Sequence, residues 1–426
     1  MFVVNLHNGI CIAFMRTVSL HLTHGVSLRS QDEEIQAQID KGSILTIVST
    51  HPYLLKGLEK GRSQQTLYSL MAQAHKLEGL GIPYIHSFLH FAHLTKLSES
   101  YIRSIVNRRS SSYTSYSIPK RSGGSRYLHI PSDELKALQR WINGEILNRL
   151  PVHSSCYSYH KGSSIVQCAE KHCGSKWLIK FDIENFFDTI NEVEVYKVYR
   201  KIGYKPLIAF GLARICTYQP KSLLQNKKNW VQFNKNSDEM PFQKKHIRYF
   251  GRVPQGAPTS PMLSNLVLAN LDEKLSNYAQ KRGGIYTRYA DDLFMSFSQN
   301  NFDRQQVSQV IGSVLSQVKS YGYNLRKSKI KVIPPGSNKV ILGLSVNDKQ
   351  VRLTKQYKQN INSHIYGMVK FGVDKHAIHR GFDSVFGMID HVFGLINYAK
   401  TVEPDFGYTK YQELQDCLRS SGLSYI

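Results

Sequence analysis

The sequence has few acidic residues for its length. Its 426 residues include 31 Asp and Glu against 55 Lys and Arg, which leaves a formal net charge of +24. Long apolar runs are also missing, since Gly9–Met15 is far shorter than the roughly 20 residues that a membrane-spanning helix needs. No basic region precedes that stretch, so we expect no signal peptide. The sequence leaves open whether Met1 or Met15 is the natural start.

A positive excess of this size favours a polyanionic partner, which is either a nucleic acid or an anionic membrane surface. The Lys and Arg residues are dispersed, and the sequence has no strongly amphipathic basic helix bordered by Trp. We therefore expect a nucleic acid as the partner and no membrane.

The six cysteines lack the regular pairing of a disulfide framework, which favours a reducing, cytoplasmic location. The spacing of Cys168 and Cys173, with Cys156 upstream, could suggest a zinc site. No second closely spaced pair accompanies them, so we do not expect metal binding there. Apolar residues make up 41% and charged residues 20% of the chain, which is typical of a globular protein with more than one domain.

The distribution of apolar residues predicts an α+β chain. Residues 1–100 have a mainly helical pattern, and His93–Arg109 has the spacing of one amphipathic helix. The stretch "YSIPKRSGGSRYLHIP" predicts a hairpin around a Gly-Gly turn, and Ser132–Leu150 predicts a helix with an acidic first turn. Short strands alternate with helices over 176–346, and helical patterns return towards the C-terminus.

Two segments place carboxylates among apolar neighbours. Asp291 and Asp292 interrupt "TRYADDLFMSFS", and Asp182 lies in "KWLIKFDIENFFDTI". If these strands are neighbours, three carboxylates meet at one edge of a sheet, which is costly unless divalent cations lie among them. An all-oxygen set favours Mg²⁺, and two such ions about 4 Å apart could hold both the attacking and the leaving oxygen of a phosphoryl transfer. The alternative is a pair of solvated turn aspartates.

Three blocks in this order resemble the reverse transcriptase family: "FDIENFF", "VPQGAPTSPMLSNLVLANLD" (Val253–Asp272) and "YADD" (Tyr289–Asp292). The resemblance is to the bacterial branch of retrons, group II introns and defence-associated enzymes, and it covers roughly residues 92–410. It implies a right-hand polymerase architecture with fingers, a palm containing an antiparallel sheet, and a helical thumb.

The resemblance also divides the chain. We expect a helical N-terminal extension over 1–100, and fingers and palm over 101–335. A primer grip, within "VILGLSVND", and a helical thumb would follow over 336–426.

The resemblance implies a role for each matching residue. Asp182 and Asp291 would bind two Mg²⁺ ions, with Asp292 alongside and the carbonyl oxygen of Ile183 as a further ligand. The primer 3′-hydroxyl would then attack the α-phosphate of a deoxynucleoside triphosphate. Phe187 falls where the family has the steric gate that excludes a ribose 2′-hydroxyl, and its alternative role is core packing, which Phe186 is expected to supply.

Other residues match the nucleotide-binding positions of the family. Gln255 would touch the nucleotide and template, and Lys120 and Arg126 would bind the triphosphate. Lys327 fits best the position that assists pyrophosphate departure, with Lys329 as the alternative.

The polar segment Tyr218–Arg252 matches nothing in the family and is rich in Lys and Arg with aromatic residues interleaved. Such a segment suits contact with an RNA backbone and stacking on its bases, although it could also be a solvated loop. The RNA-contacting residues would be Lys227, Lys228, Lys244 and Lys245.

Two departures bear on the type of enzyme. Retron enzymes carry Asn-Ala-x-x-His where this chain has "CAEKH" (Cys168–His172), and Val-Thr-Gly where it has "ILGL". We therefore expect an RNA-directed DNA polymerase that copies a dedicated structured noncoding RNA, in bacterial antiphage defence. Alternatives are a retron-type enzyme making RNA-linked single-stranded DNA, an RNA-directed RNA polymerase, which a bulky Phe187 disfavours, and a nucleic-acid-binding scaffold with a polymerase fold.

Overall fold

The computed structural model describes residues 52–109, 112–119, 123–219 and 251–423. Lys120 and the four lysines of the basic segment lie outside the described residues. The chain divides into two compact units, with the boundary between Met71 and Ala72.

From residue 52 onwards, where the described residues begin, four helices precede the first strand: Pro52–Glu59, Gln64–Gly79, Phe88–Thr95 and Glu99–Val106. The prediction of one continuous helix over His93–Arg109 is wrong. Lys96 adopts the left-handed conformation with φ +56° and ends the third helix. The Ser98 side chain then accepts a hydrogen bond from the backbone N–H of Tyr101, so it caps a new helix.

The predicted hairpin is confirmed by antiparallel strands β1 (Tyr113–Pro119) and β2 (Ser125–Pro131). Gly123 and Gly124 both have positive φ in the turn, a conformation that glycine adopts without strain. A helix over Asp133–Glu145 follows, with its acidic first turn at the positive end of the helix dipole. One turn of 3₁₀ helix, Leu147–Arg149, ends this region.

The central sheet has four strands in the order β4-β5-β3-β6, and every neighbouring pair is antiparallel. The strands are β3 (Trp177–Asp182), β4 (Gly284–Tyr289), β5 (Asp292–Phe297) and β6 (Lys331–Ile333). Its accompanying helices span Ile165–Glu170, Phe186–Thr189, Glu192–Ile202, Pro206–Ile215, Ser260–Gln280 and Arg304–Ser320. We call this sheet the palm sheet.

Hydrophobic clusters lie on both faces of the palm sheet. Because side chains alternate along a strand, Ile179 and Phe181 enter the larger cluster, whereas Leu178 enters the cluster shared with the C-terminal helices. All three side chains are fully buried. The palm sheet is thus packed by apolar side chains on both faces.

The C-terminal region begins with a small antiparallel sheet of strands Val340–Ile341, Leu344–Ser345 and Arg352–Leu353. Helices Lys355–Phe371, Val373–His379, Val385–Val402 and Pro404–Ser420 follow. The α+β class and the antiparallel palm are confirmed. Within the part of the chain that the structure describes, no helix is both long and apolar enough to cross a lipid bilayer.

Candidate active site

The three predicted carboxylates lie at one end of the palm sheet. Asp182 ends β3 and pairs directly with Asp292, the first residue of β5. Asp291 is in the turn before Asp292, and its carbonyl accepts a hydrogen bond of 2.9 Å from the N–H of Ile183. Ala290 takes φ +55°, which allows the tight turn between β4 and β5.

Basic side chains neutralise two of these carboxylates. Lys329 Nζ donates to Asp182 Oδ2 at 2.7 Å, and Lys180 Nζ lies 3.1 Å from Asp292 Oδ1. The pKa of Asp291 is raised, chiefly by burial and further by the carboxylates of Asp292 and Asp182. A carboxylate whose charge is disfavoured by its surroundings is one that an added cation would stabilise.

The donor set fits hard divalent cations, because it offers carboxylate oxygens and the nearby backbone carbonyl of Ile183. In the described residues, no group of three acidic, His or Cys side chains is already arranged as a closed metal site. One oxygen of Asp182 and one of Asp292 are engaged by the ammonium groups of Lys329 and Lys180.

A buried ion pair supports the turn of Ala290 and Asp291 between β4 and β5. We call it the catalytic turn, because it carries one of the predicted catalytic carboxylates. The Arg288 guanidinium is fully buried and donates to both carboxylate oxygens of Asp272, at 2.8 and 2.7 Å. It also donates to the Ala290 carbonyl at 3.2 Å. Burial alone would lower the pKa of Arg288, but the Asp272 carboxylate raises it and prevails. The Arg288 guanidinium therefore stays protonated and holds the turn through its contact with the Ala290 carbonyl.

A second contact fixes the same turn from the other side. The hydroxyl of Ser158 accepts a hydrogen bond from the N–H of Ala290 at 2.9 Å, and the Ser158 carbonyl accepts from Asn265 Nδ2 at 2.6 Å. Sequence reasoning missed Ser158, Asn265, Asp272 and Arg288 as positioning residues. Their only signal was polar side chains inside apolar segments, which does not identify their partners.

Phe187 belongs to an aromatic cluster with Tyr159 and Tyr289. It is half-buried on the one-turn helix that follows Asn185, a residue with φ +48°, whereas Phe186 is buried in the core as predicted. The ring centroid of Phe187 is 6.4 Å from that of Tyr159, which is 6.5 Å from Tyr289. Tyr159 is a further residue that the sequence did not single out.

Gln255 connects the palm to the β1–β2 hairpin. Its carbonyl accepts a hydrogen bond of 2.7 Å from the N–H of His129 on β2. At Gly256, with φ +112°, an added Cβ would lie 3.5 Å from the His129 carbonyl, so the two backbones approach closely. Arg126 is exposed on β2 opposite Ile118. The hairpin and the Gln255 loop therefore face each other.

Of the two lysines considered from the sequence, Lys329 is the one that contacts Asp182. Lys327 begins the same turn of 3₁₀ helix and is exposed. The N–H of Arg326 donates to the Asp182 carbonyl at 2.9 Å, which holds this turn against the end of β3.

The two ends of the basic segment meet beside Phe187. Tyr218 and Arg252 exchange backbone hydrogen bonds of 2.9 and 2.8 Å. The Tyr218 hydroxyl donates to Asp188 Oδ1 at 3.2 Å, and the Arg252 guanidinium donates to the Asp188 carbonyl. The ring of Tyr218 also stacks on His129, with centroids 3.9 Å apart. We call this pair of residues the segment base.

His172, in "CAEKH", has a structural role. Its ring nitrogens lie 2.7 Å from the hydroxyls of Ser296 on β5 and Thr287 on β4. Burial lowers the pKa of His172 to about 3, so the ring is neutral at physiological pH. It joins two strands of the palm sheet and contacts no carboxylate of the site.

Comparison with known proteins agrees with this geometry. Residues 118–354 match the family described as "Reverse transcriptase (RNA-dependent DNA polymerase)". The retron Ec86 reverse transcriptase of Escherichia coli is 28% identical over 77% of this chain and 88% of its own length. The retron Mx162 reverse transcriptase of Myxococcus xanthus is 32% identical over 55% of this chain and 47% of its own.

Among solved structures, telomerase from Candida albicans in complex with a fragment of telomeric RNA is 13% identical. The likeness has a TM-score of 0.39 and covers 77% of this chain and 66% of that one. The family match spans more than half of the chain, and the strands, turn and carboxylates match its motifs. The chain therefore belongs to the reverse transcriptase family, as an RNA-directed DNA polymerase with right-hand architecture, and enzymes of this family use divalent metal ions.

Proposed function

We propose that Asp182 and Asp291 bind two Mg²⁺ ions, with Asp292 and the carbonyl of Ile183 completing the protein ligands. When bound, the ions acidify the primer 3′-hydroxyl and stabilise the charge on the pyrophosphate. The observation that carries the proposal is the pairing of Asp182 with Asp292, with Asp291 bonded through its backbone to Ile183.

The basic neighbours of the site have a second role in this proposal. Lys329 now neutralises Asp182, and a cation on that carboxylate would free the ammonium for phosphate oxygens. The contact of Lys329 with Asp182 favours Lys329 as the residue that assists pyrophosphate departure. Lys327 is favoured for that role only by its position in the sequence motif. Lys180 holds the Asp292 carboxylate in position through its ion pair.

Nucleotide selection depends on side chains around the aromatic cluster. Phe187 is half-buried in the aromatic cluster with Tyr159, five residues after Asp182, which suits a ring that leaves no room for a 2′-hydroxyl. Gln255 would orient the nucleotide, while Arg126 and Lys120 of the hairpin would bind its triphosphate. The substrates are deoxynucleoside triphosphates, and the product is DNA.

The template is a dedicated structured noncoding RNA, copied in the bacterial cytoplasm as part of antiphage defence. The retron enzymes among its relatives and the net charge of +24 support an RNA partner. Lys227, Lys228, Lys244 and Lys245 would contact this RNA. Substituting these four with Gln should weaken RNA binding and reduce its salt dependence, and an unchanged salt slope would count against the contact.

The test is to sequence nucleic acids that copurify with the protein from its native host, using wild type and Asp291→Ala/Asp292→Ala. One RNA enriched in both samples, with complementary DNA only in the wild type, is the expected result. DNA covalently joined to the RNA would favour the retron-type alternative. RNA without DNA in either sample would favour the scaffold, and no enriched RNA would refute a dedicated template.

A further inference from the structure

Two adjoining cavities lie at the opposite end of the palm sheet from the carboxylates. The larger, about 750 Å³, is bounded by residues before β3, by the loop that follows β5 and by the loop between Pro334 and Lys339. The smaller, about 280 Å³, shares Gln299 and Phe302 with it. We call the two together the far-end groove.

The far-end groove is well separated from the site of chemistry. It begins at Trp177, the first residue of β3, whereas Asp182 is the last. Five residues of extended strand span about 16 Å. A ligand in the groove therefore does not compete with the nucleotide.

The groove is strongly basic. Its cations are Lys176, Arg304 and Lys339 in the larger cavity, and Lys281 and Arg282 in the smaller. The single acidic side chain is Asp303, and its carboxylate is engaged as the N-cap of its own helix, accepting from the N–H of Gln306 at 2.8 Å. Five cations thus line the two cavities against one carboxylate, which leaves a net positive charge.

Lys339 is the most deeply buried of these cations. It is only 5% exposed, and its Nζ donates to the carbonyl of Ser337 at 3.2 Å. Within the described ranges it forms no salt bridge, and burial lowers its pKa. A buried ammonium without a counter-ion is costly, and an anion in the groove would offset that cost.

The position of Lys339 is fixed by the backbone. Its N–H donates to Asn347 Oδ1 at 2.9 Å, and its carbonyl accepts from the N–H of Val346 at 3.0 Å. Ser175, which also lines the larger cavity, is 6% exposed, and its hydroxyl has no hydrogen-bond partner among the described residues. Both residues therefore hold polar groups that internal contacts leave incompletely satisfied.

We propose that the far-end groove binds backbone phosphates of an RNA strand, which is a contact surface for the RNA partner proposed above. A free phosphate would occupy only a part of one cavity, whereas cations on both sides of Gln299 and Phe302 suit successive phosphates of one strand. This inference rests on the proposed RNA partner but not on polymerase activity.

The test uses the full chain carrying Lys176→Gln, Arg304→Gln and Lys339→Met. The matched control removes three exposed lysines that form no ion pair in the described structure: Lys201→Gln, Lys319→Gln and Lys375→Gln. The probe is a labelled 60-nucleotide RNA hairpin with single-stranded flanks, titrated at several KCl concentrations. Each lost phosphate contact should reduce the salt slope by about 0.7, hence about 2 for the groove variant, with little change in the control.

Equal slopes in the groove and control variants would overturn the proposal. Protection of the wild type from thermal unfolding by orthophosphate alone, with no change in RNA affinity, would identify a small-anion site and would also overturn it. Lys339→Met alone should leave the melting temperature unchanged or higher, because an unpaired buried charge is removed; a marked decrease would show that Lys339 is structural.

Primer extension on a short preformed RNA–DNA duplex separates the two proposals. A variant with only Lys176→Gln and Arg304→Gln, which leaves Lys339 beside the primer grip intact, should extend it at the wild-type rate, since the groove lies about 16 Å from the carboxylates. Failure of the wild type to extend it would refute the polymerase mechanism and leave the RNA-binding result standing.

Discussion

The catalytic turn depends on individual polar atoms that are buried and fully paired. Ala290 has a positive φ that costs free energy outside glycine, and both of its backbone groups are held: the N–H by Ser158 and the carbonyl by Arg288. The position of Asp291 and Asp292 relative to β3 therefore depends on side chains that never touch a substrate.

Ser158→Ala tests this dependence. Loss of the hydroxyl leaves the N–H of Ala290 without its acceptor, so the turn loosens and kcat should fall roughly tenfold, with KM for the nucleotide little changed. The measurement is steady-state primer extension. Ser163→Ala is the control, because that hydroxyl donates to the His160 carbonyl and does not contact the turn. Equal loss in both variants would contradict a positioning role for Ser158.

His172 predicts a pH dependence of stability. Its folded pKa of about 3 lies below its ordinary value of 6.5, so the unfolded chain binds the proton more readily. The neutral, buried His172 ring therefore contributes its full stabilisation above pH 6.5, and this contribution is lost as pH falls towards 3. At pH 5 the loss is about 2 kcal/mol relative to neutral pH.

Denaturant unfolding at pH 7.5 and pH 5 measures this effect. The difference in unfolding free energy between the two pH values should be about 2 kcal/mol smaller in His172→Gln than in the wild type. The exposed His379→Gln should behave as the wild type does. An identical pH dependence in all three proteins would exclude His172 as the source.

At the scale of elements, the one-turn helix Phe186–Thr189 connects the proposed nucleotide site to the segment base. Asp188 accepts hydrogen bonds from both Tyr218 and Arg252, and its neighbour Phe187 faces the aromatic cluster. A helix of one turn has little stability of its own, so its orientation depends on these contacts.

Tyr218→Phe should therefore change nucleotide selection. The ring can still stack on His129, but the hydroxyl contact to Asp188 is lost, and discrimination between deoxyribo- and ribonucleotides should fall a few-fold. The measurement is the ratio of kcat/KM for dGTP and GTP. Tyr366→Phe, exposed on a C-terminal helix, is the control. An unchanged dGTP/GTP ratio would contradict this coupling, including the case in which both kcat/KM values fall by the same factor.

Elements with a strong local signal were predictable from the sequence. Alternating apolar residues and the Gly-Gly turn predicted the β1–β2 hairpin, and motif order predicted that Asp182 and Asp291 would meet. The break at Lys96 was missed, because the apolar spacing continues through it. The Arg288–Asp272 pair and the segment base were missed because they join residues distant in sequence, and such partners depend on the tertiary fold.

Across the whole molecule, positive charge is distributed between two functions. Lys180 and Lys329 balance the catalytic carboxylates, whereas the cations of the far-end groove lie about 16 Å away without carboxylate partners. The proposed copying of one dedicated RNA would use both, since the chemistry is local and the RNA is long. The net charge alone predicted a polyanionic partner but neither its kind nor where it binds.

The most direct test of the central claim is extension of a DNA primer on an RNA template by purified protein. The account predicts extension with Mg²⁺ and deoxynucleotides, none after chelation, and a loss of at least about 1,000-fold in Asp182→Asn, because its carboxylate is a proposed ligand of both ions. Retained RNA binding by this variant would show that it is folded. Extension by Asp182→Asn at a rate near that of the wild type would contradict the proposed site.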